Sequence, residues 1–115
     1  MSEPMAEPTF DDEGYPTDET LDAIRWWPVG DYTNLMLFCA KAWNPYGWFE
    51  QREGKFSDQR EGATPWVCVT GGWSGNESII AALTANLDFW ITCWVCEARG
   101  GYYEFHIPKG GDPLA

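Results

Sequence analysis

GGWSGNESIIAALTANLDFWITCWVCEARGGYYEFHI, residues 71–107, decides how this chain reads. Gly71-Gly72 predicts a turn. Ser74-Gly75-Asn76-Glu77 fits the S-x-x-E capping box, in which the Ser74 hydroxyl accepts from the Glu77 amide and the Glu77 side chain returns to the Ser74 amide. Ile79, Ile80, Leu83 and Leu87 follow at helical spacing, with an end near Asn86 or Asp88. Phe89 to Ala98 is rich in Trp, Ile, Thr and Val and predicts a strand, with Trp90, Trp94, Cys96 and Ala98 on one face. Gly100-Gly101 then closes a two-residue hairpin. That register sets Ala98 against Tyr103, Cys96 against Phe105 and Trp94 against Ile107. It segregates an apolar face from a polar one of Glu97, Arg99, Tyr102, Glu104 and His106. A slip by one residue would bury the charges.

Working outward, Thr17 is a helix cap, with Asp18 and Glu19 at the positive helix end. Leu21, Ile24 and Trp27 share a face, and Pro28 stops the helix. Asp31 caps a second helix in which Tyr32, Leu35, Met36, Cys39 and Trp43 recur at helical spacing. Leu37, Phe38, Ala40 and Ala42 fill the rest, so burial is expected on more than one side. The short connection suggests a helical hairpin. Tyr46–Arg52 and Pro65–Thr70 read as strands joined by a polar loop, 53–64. The expected fold is α+β: a small domain in the order ααββαββ, with an antiparallel sheet of about four strands packed against two or three helices. It spans residues 17–108. Residues 1–16 are expected as a disordered acidic tail and 109–115 as a flexible one.

The net charge of -11 is unevenly distributed. Eight acids, from Glu3 to Asp22, precede the first Lys or Arg; from Ala23 onward ten acids face seven bases. A nucleic-acid mimic needs carboxylates spaced over a folded surface. A flexible tail instead solubilises or steers. The same acid balance argues against direct nucleic-acid binding, which needs a basic groove beside its aromatic platforms. No apolar run is long enough to cross a membrane, and the N-terminus lacks the features of a signal peptide. The expectation is a cytoplasmic protein with reduced cysteines.

The four cysteines do not make a convincing metal site. Cys93 and Cys96 form a CxxC, but Cys39 and Cys68 lie 29 residues apart, and four-cysteine zinc sites use short-spaced pairs. Buried small hydrophobes are the expected role, with no metal and no cofactor. The Gly71–Glu77 loop offers helix N-terminal amides to an anion, yet a capping box already uses some of them, and Glu77 repels phosphate. Trp73 and Asn76 are the residues that structure alone explains least. His106 has acids nearby, but no nucleophile elbow accompanies it, and a triad with Ser74 would be a coincidence of folding. No catalytic residue is assigned. Candidate binding residues are Trp73, Asn76, Glu97, Arg99, Tyr102, Glu104 and His106. Eight tryptophans exceed what so small a core easily encloses, so some should surface as interface anchors, for a homodimer or for another protein.

TGGWSGNESIIAAL, FWITCW and RGGYYEFHIP together resemble uncharacterised small proteins of bacteriophages and prophages. The resemblance covers about residues 70–108, with a weaker echo at LDAIRWWP. It implies a phage accessory protein in the host cytoplasm. Such proteins bind and inhibit a bacterial host or defence protein, as anti-CRISPR and other anti-defence inhibitors do. The expected function is therefore non-enzymatic protein binding. The alternative is sequestration of a small molecule or nucleotide by the Gly71–Glu77 loop and the C-terminal hairpin.

Overall fold

A computed structural model describes residues 7–51 and 63–108. Residues 1–6, residues 52–62, which cover the expected strand end at residue 52 and most of the loop expected over 53–64, and the tail expected over 109–115 lie outside the described residues. The elements run α1 (Asp18–Arg25), α2 (Tyr32–Ala42), β1 (Trp48–Gln51), β2 (Ala63–Val69), α3 (Ser74–Ala85), α4 (Leu87–Cys93), β3 (Trp94–Ala98) and β4 (Tyr102–Pro108). The fold is α+β, with one antiparallel sheet in the order β1-β2-β4-β3.

One sheet face carries Phe49, Trp66, Cys68, Phe105 and Ile107. It packs against Ile24, Tyr32, Leu35, Met36, Cys39, Ile79, Leu83 and Phe89 from the helices. Burying one such side chain contributes about 1.5–3 kcal/mol, so this layer supplies most of the drive to fold. Predicted alternation holds in β1 and β2: Phe49 pairs with Cys68 on the helix side, and Glu50 with Val67 on the other. β2 starts two residues earlier than expected, because Ala63 and Thr64 pair with Pro108 and Ile107.

The helices keep their expected places with altered partners. Thr17 Oγ1 accepts from the Thr20 amide at 3.3 Å and caps α1. Asp31 makes no side-chain cap on α2. Its carboxylate instead accepts from Trp27 Nε1 at 3.1 Å and Asn34 Nδ2 at 2.8 Å. All five periodic residues of α2 are buried, and Leu37 is exposed. The expected helical hairpin does not form: α1 packs chiefly against α3. Asn86 explains this, since its Nδ2 donates to the Ile24 carbonyl at 3.0 Å and draws the end of α1 to the α3–α4 junction.

Residues 7–16, expected to be disordered, are bound to α1. The Thr9 amide donates to Thr20 Oγ1 at 2.8 Å, and Thr20 Oγ1 returns to the Thr9 carbonyl at 3.1 Å. Asp11 Oδ1 accepts from the amides of Glu13 and Tyr15, closing a turn that lets Phe10 bridge to Pro16. Composition undervalued this segment because its order comes from polar turn chemistry rather than apolar burial. Asp11, Asp12, Glu13, Asp18, Glu19 and Asp22 thus belong to the folded surface.

The largest departure lies inside the stretch that decides the fold. Residues 87–93 are helical where a strand was expected. Asn86 Oδ1 accepts from the Phe89 amide at 3.2 Å, capping α4, and Asp88 adds negative charge at its first turn. Phe89 and Cys93, one turn apart, face the core. The turn into β4 holds three residues, Arg99-Gly100-Gly101, because Ala98 pairs with Tyr102. A bulge between Trp94 and Cys96 then sets Glu97 opposite Tyr103, Cys96 opposite Glu104 and Trp94 opposite Phe105. The expected pairing of Ala98 with Tyr103, Cys96 with Phe105 and Trp94 with Ile107 is corrected accordingly.

Candidate functional site

Asn76 lies in the first turn of α3 and is buried. Its Oδ1 accepts from the Asn44 amide at 2.8 Å. Its Nδ2 donates to the carbonyls of Asn44 at 3.3 Å and Thr70 at 3.0 Å. One side chain thus joins the end of α2, the end of β2 and the start of α3. Gly71 completes this knot: its φ is +66°, and a Cβ there would collide with the Tyr46 carbonyl. The capping box is absent. Trp73 is the N-cap and makes no side-chain cap bond; Ser74 is already helical, and its Oγ donates to the Tyr15 hydroxyl at 3.1 Å. Trp73 lies half-buried between the rings of Tyr15 and Tyr46, with centroids 4.7 and 5.7 Å away. The side chains of Asn76 and Ser74 are thus bonded within the fold.

Tyr102, Glu104 and His106 are brought together, but not on a solvated face. Glu104 is fully buried and His106 is 3% exposed. His106 Nε2 lies 2.8 Å from Glu104 Oε2, an arrangement in which Nε2–H donates to the carboxylate. The Tyr102 hydroxyl donates to Glu104 Oε1 at 3.3 Å, and the Cys96 thiol approaches the same oxygen at 3.8 Å. Burial, then the charge and hydrogen bond of Glu104, push the Cys96 thiol up from its ordinary value. Cys96 and His106 therefore address opposite oxygens of one carboxylate. The imidazole is not placed to take the thiol proton, and the thiol is held protonated. This is a carboxylate hub, without the pairing that nucleophilic catalysis uses.

Glu97 and Arg99 lie apart from this hub and are exposed. Glu97 ranks second among the causes that raise the Tyr103 phenol, after burial and ahead of Cys68 and Glu77. Polar alternation suggested a single face of five residues. The bulge moves Glu97 off it, and the three-residue turn removes Arg99.

A different surface stands out. Trp27, Trp43 and Trp66 are buried, and Trp73 and Trp90 are half-buried, whereas Trp26, Trp48 and Trp94 are exposed. Trp26 is 78% exposed at the end of α1, and Val29 beside it is 68% exposed. Across an open cleft of about 420 Å³ lies Leu87 at the start of α4; Arg25, Trp27, Asn86 and Asp88 complete the walls. Leu87 and Ile91 are one turn apart and are 66% and 80% exposed. Trp94 follows at the next turn, stacked on Trp90 with centroids 5.8 Å apart. Since Phe89 and Cys93 face the core, Leu87 and Ile91 put an apolar stripe on the solvent side of α4, beside the exposed Asp88.

Comparison with protein-family models, curated proteins and solved structures returns no match. Among the described residues no helix is long and apolar enough to cross a membrane. Also among the described residues, no group of three or more His, Cys, Asp or Glu is placed to hold a metal ion. Val29 and Ile91 carry no expectation from the sequence, and Leu87, expected in the buried stripe with Ile79, Ile80 and Leu83, is instead exposed because α3 ends at Ala85 and Leu87 begins α4. Two signals pointed to this surface. Adjacent Trp26 and Trp27 cannot share a helix face, and Leu87–Ile91 repeats the spacing of Phe89–Cys93 on another side of the same turn.

Proposed function

We propose that this chain is a non-enzymatic protein-binding module that engages its partner through Trp26, Val29, Leu87 and Ile91. The observation that carries this reading is the apolar outer side of α4, continuous with the cleft beneath Trp26. Exposed contiguous apolar surface with an aromatic anchor is the usual mark of a protein interface. The resemblance to phage proteins supports a bacterial host or defence protein as the partner, inhibited by occupation of its surface in the bacterial cytoplasm.

Sequestration of a small molecule is a second reading. The cleft volume favours it, falling within the range of about 300–1,000 Å³ common to ligand pockets. The Gly71–Glu77 loop no longer supports it, because Asn76 and Trp73 are occupied within the fold.

The test is quantitative retention of bacterial lysate proteins on the immobilised chain and on a Leu87→Ser/Ile91→Ser variant. Both residues are solvent-facing, so the variant should fold. A protein retained by the parent and lost by the variant supports the reading. Identical retention by both overturns it.

A further inference from the structure

Resting on that reading, we infer that the partner's docking element is a basic amphipathic segment, whose apolar side fills the Trp26–Leu87 cleft and whose cations face the surrounding acids. Charge at the site carries this. Thirteen of the eighteen acids lie among the described residues, against three of the seven bases, Arg25, Lys41 and Arg99. Two of those three are already paired: Arg25 with Asp22 at 3.0 Å, and Lys41 with Glu7 at 2.9 Å. Arg25 is the cation in the cleft wall, and Asp22 neutralises it. Asp88, in the opposite wall, makes no ion pair among the described residues, so the cleft walls together with Asp22 beside them present two acids to one base. α1 adds Asp18 and Glu19 about two turns from Trp26.

The same charge argues against a second copy as the occupant. Two chains of net charge -11 repel as they approach. It also argues against an anionic ligand. A segment with cations flanking apolar anchors meets complementary charge at the rim and apolar surface in the centre. That combination raises association rate and fixes register. The run Leu87–Ile91, beside a groove, suits helical anchors at i, i+3 and i+4.

The test uses two model peptides of about 15 residues, long enough for helix formation on a surface. They share one leucine pattern and carry lysine in one and glutamate in the other. Binding is followed by peptide anisotropy and by the indole N–H signals of the protein. The lysine peptide should shift the Trp26 signal and bind at least about tenfold more tightly than the glutamate peptide, with affinity falling as salt is raised. Leu87→Ser/Ile91→Ser should weaken it about tenfold, and Asp88→Asn a few-fold. Four results would overturn the inference. The peptides bind equally, neither binds, the serine variant binds the lysine peptide unchanged, or the chain self-associates in a manner that the serine variant abolishes. Equal binding or no binding rejects the basic partner and leaves lysate retention to decide whether the surface binds protein at all.

Discussion

Asn76 directs all three of its observed hydrogen bonds to backbone groups that no helix or strand ladder satisfies. Truncation strands the Asn44 amide, while the Asn44 and Thr70 carbonyls keep the amides of Gly47 and Trp73. Asn76→Ala should therefore lower stability by about 1–3 kcal/mol, the cost of one stranded buried group. Urea denaturation reads this directly. Two residues away, Ser74 gives the opposite expectation. As an N-cap it would contribute about 1 kcal/mol. As an exposed helical serine bonded to Tyr15 it contributes no more than about 0.5 kcal/mol. Ser74→Ala should be close to silent, while Thr17→Ala, which removes the true cap of α1, should cost about 1 kcal/mol. A larger loss at Ser74 than at Thr17 would contradict the cap assignments.

At the scale of elements, α4 is where pattern and fold disagree. Asn86 is at once the C-cap of α3 and the N-cap of α4, and its amide also holds the Ile24 carbonyl. Asn86→Ala should cost about 1–3 kcal/mol, combining a lost cap with a lost hydrogen bond to the Ile24 carbonyl, which keeps the Trp27 amide. Asn86→Asp keeps the cap acceptor and loses the donor, so its loss should come from the Ile24 contact alone. Hydrogen exchange separates the two: the Phe89 amide should lose protection in the alanine variant and retain most of it in the aspartate variant. The two early helices, β1, β2, β4 and most of the core were legible because their periodicities were unambiguous, as at Leu35–Met36–Cys39 and Phe49–Glu50. Phe89–Cys93 was not. Its Phe, Trp, Ile and Thr favour strand by local preference, and only a packing site for Phe89 and Cys93 together makes it a helix. The bulge erased the rest of the polar hairpin face, since alternation assumes one residue per ladder position. Tyr102, Glu104 and His106 were rightly grouped because they alternate on a single unbroken strand. Their burial was illegible, because no local pattern states what covers a sheet.

For the molecule as a whole, the thiols set an alkaline limit. Cys39 and Cys68 are both raised above their ordinary value of 9.0, in each case by burial, with Cys68 adding to the effect on Cys39. A thiol that binds its proton more tightly in the folded chain contributes stability that is fully present below the unfolded value. That contribution is lost as pH rises, because the unfolded chain releases a proton that the folded chain retains. Stability should show no thiol dependence below about pH 8 and should fall above pH 9. The slope should approach about 1.4 kcal/mol per pH unit for each of Cys39 and Cys68, with Cys96, also raised, adding to it. Urea unfolding at stepped pH checks the slope, and Cys68→Ala should remove the share of that one thiol.

The bulge between Trp94 and Cys96 has one more consequence, for chain length. α4 passes into β3 without a connecting residue, Cys93 ending the helix and Trp94 beginning the strand. Trp94 pairs with Phe105 and Cys96 with Glu104, neighbours on β4, so Val95 occupies no ladder position of its own. The chain is one residue longer than its pairings require, and the spare sits where helix meets sheet. A variant lacking Val95 should keep Trp94 beside Phe105 and Cys96 beside Glu104, with little loss in urea. A variant lacking Glu97 removes the same spare residue but, with Ala98 held opposite Tyr102, sets Cys96 opposite Tyr103 and Val95 opposite Glu104, so it loses the Cys96–Glu104 contact. The two deletions leave ladders of equal length and differ in which side chain reaches the Glu104 carboxylate.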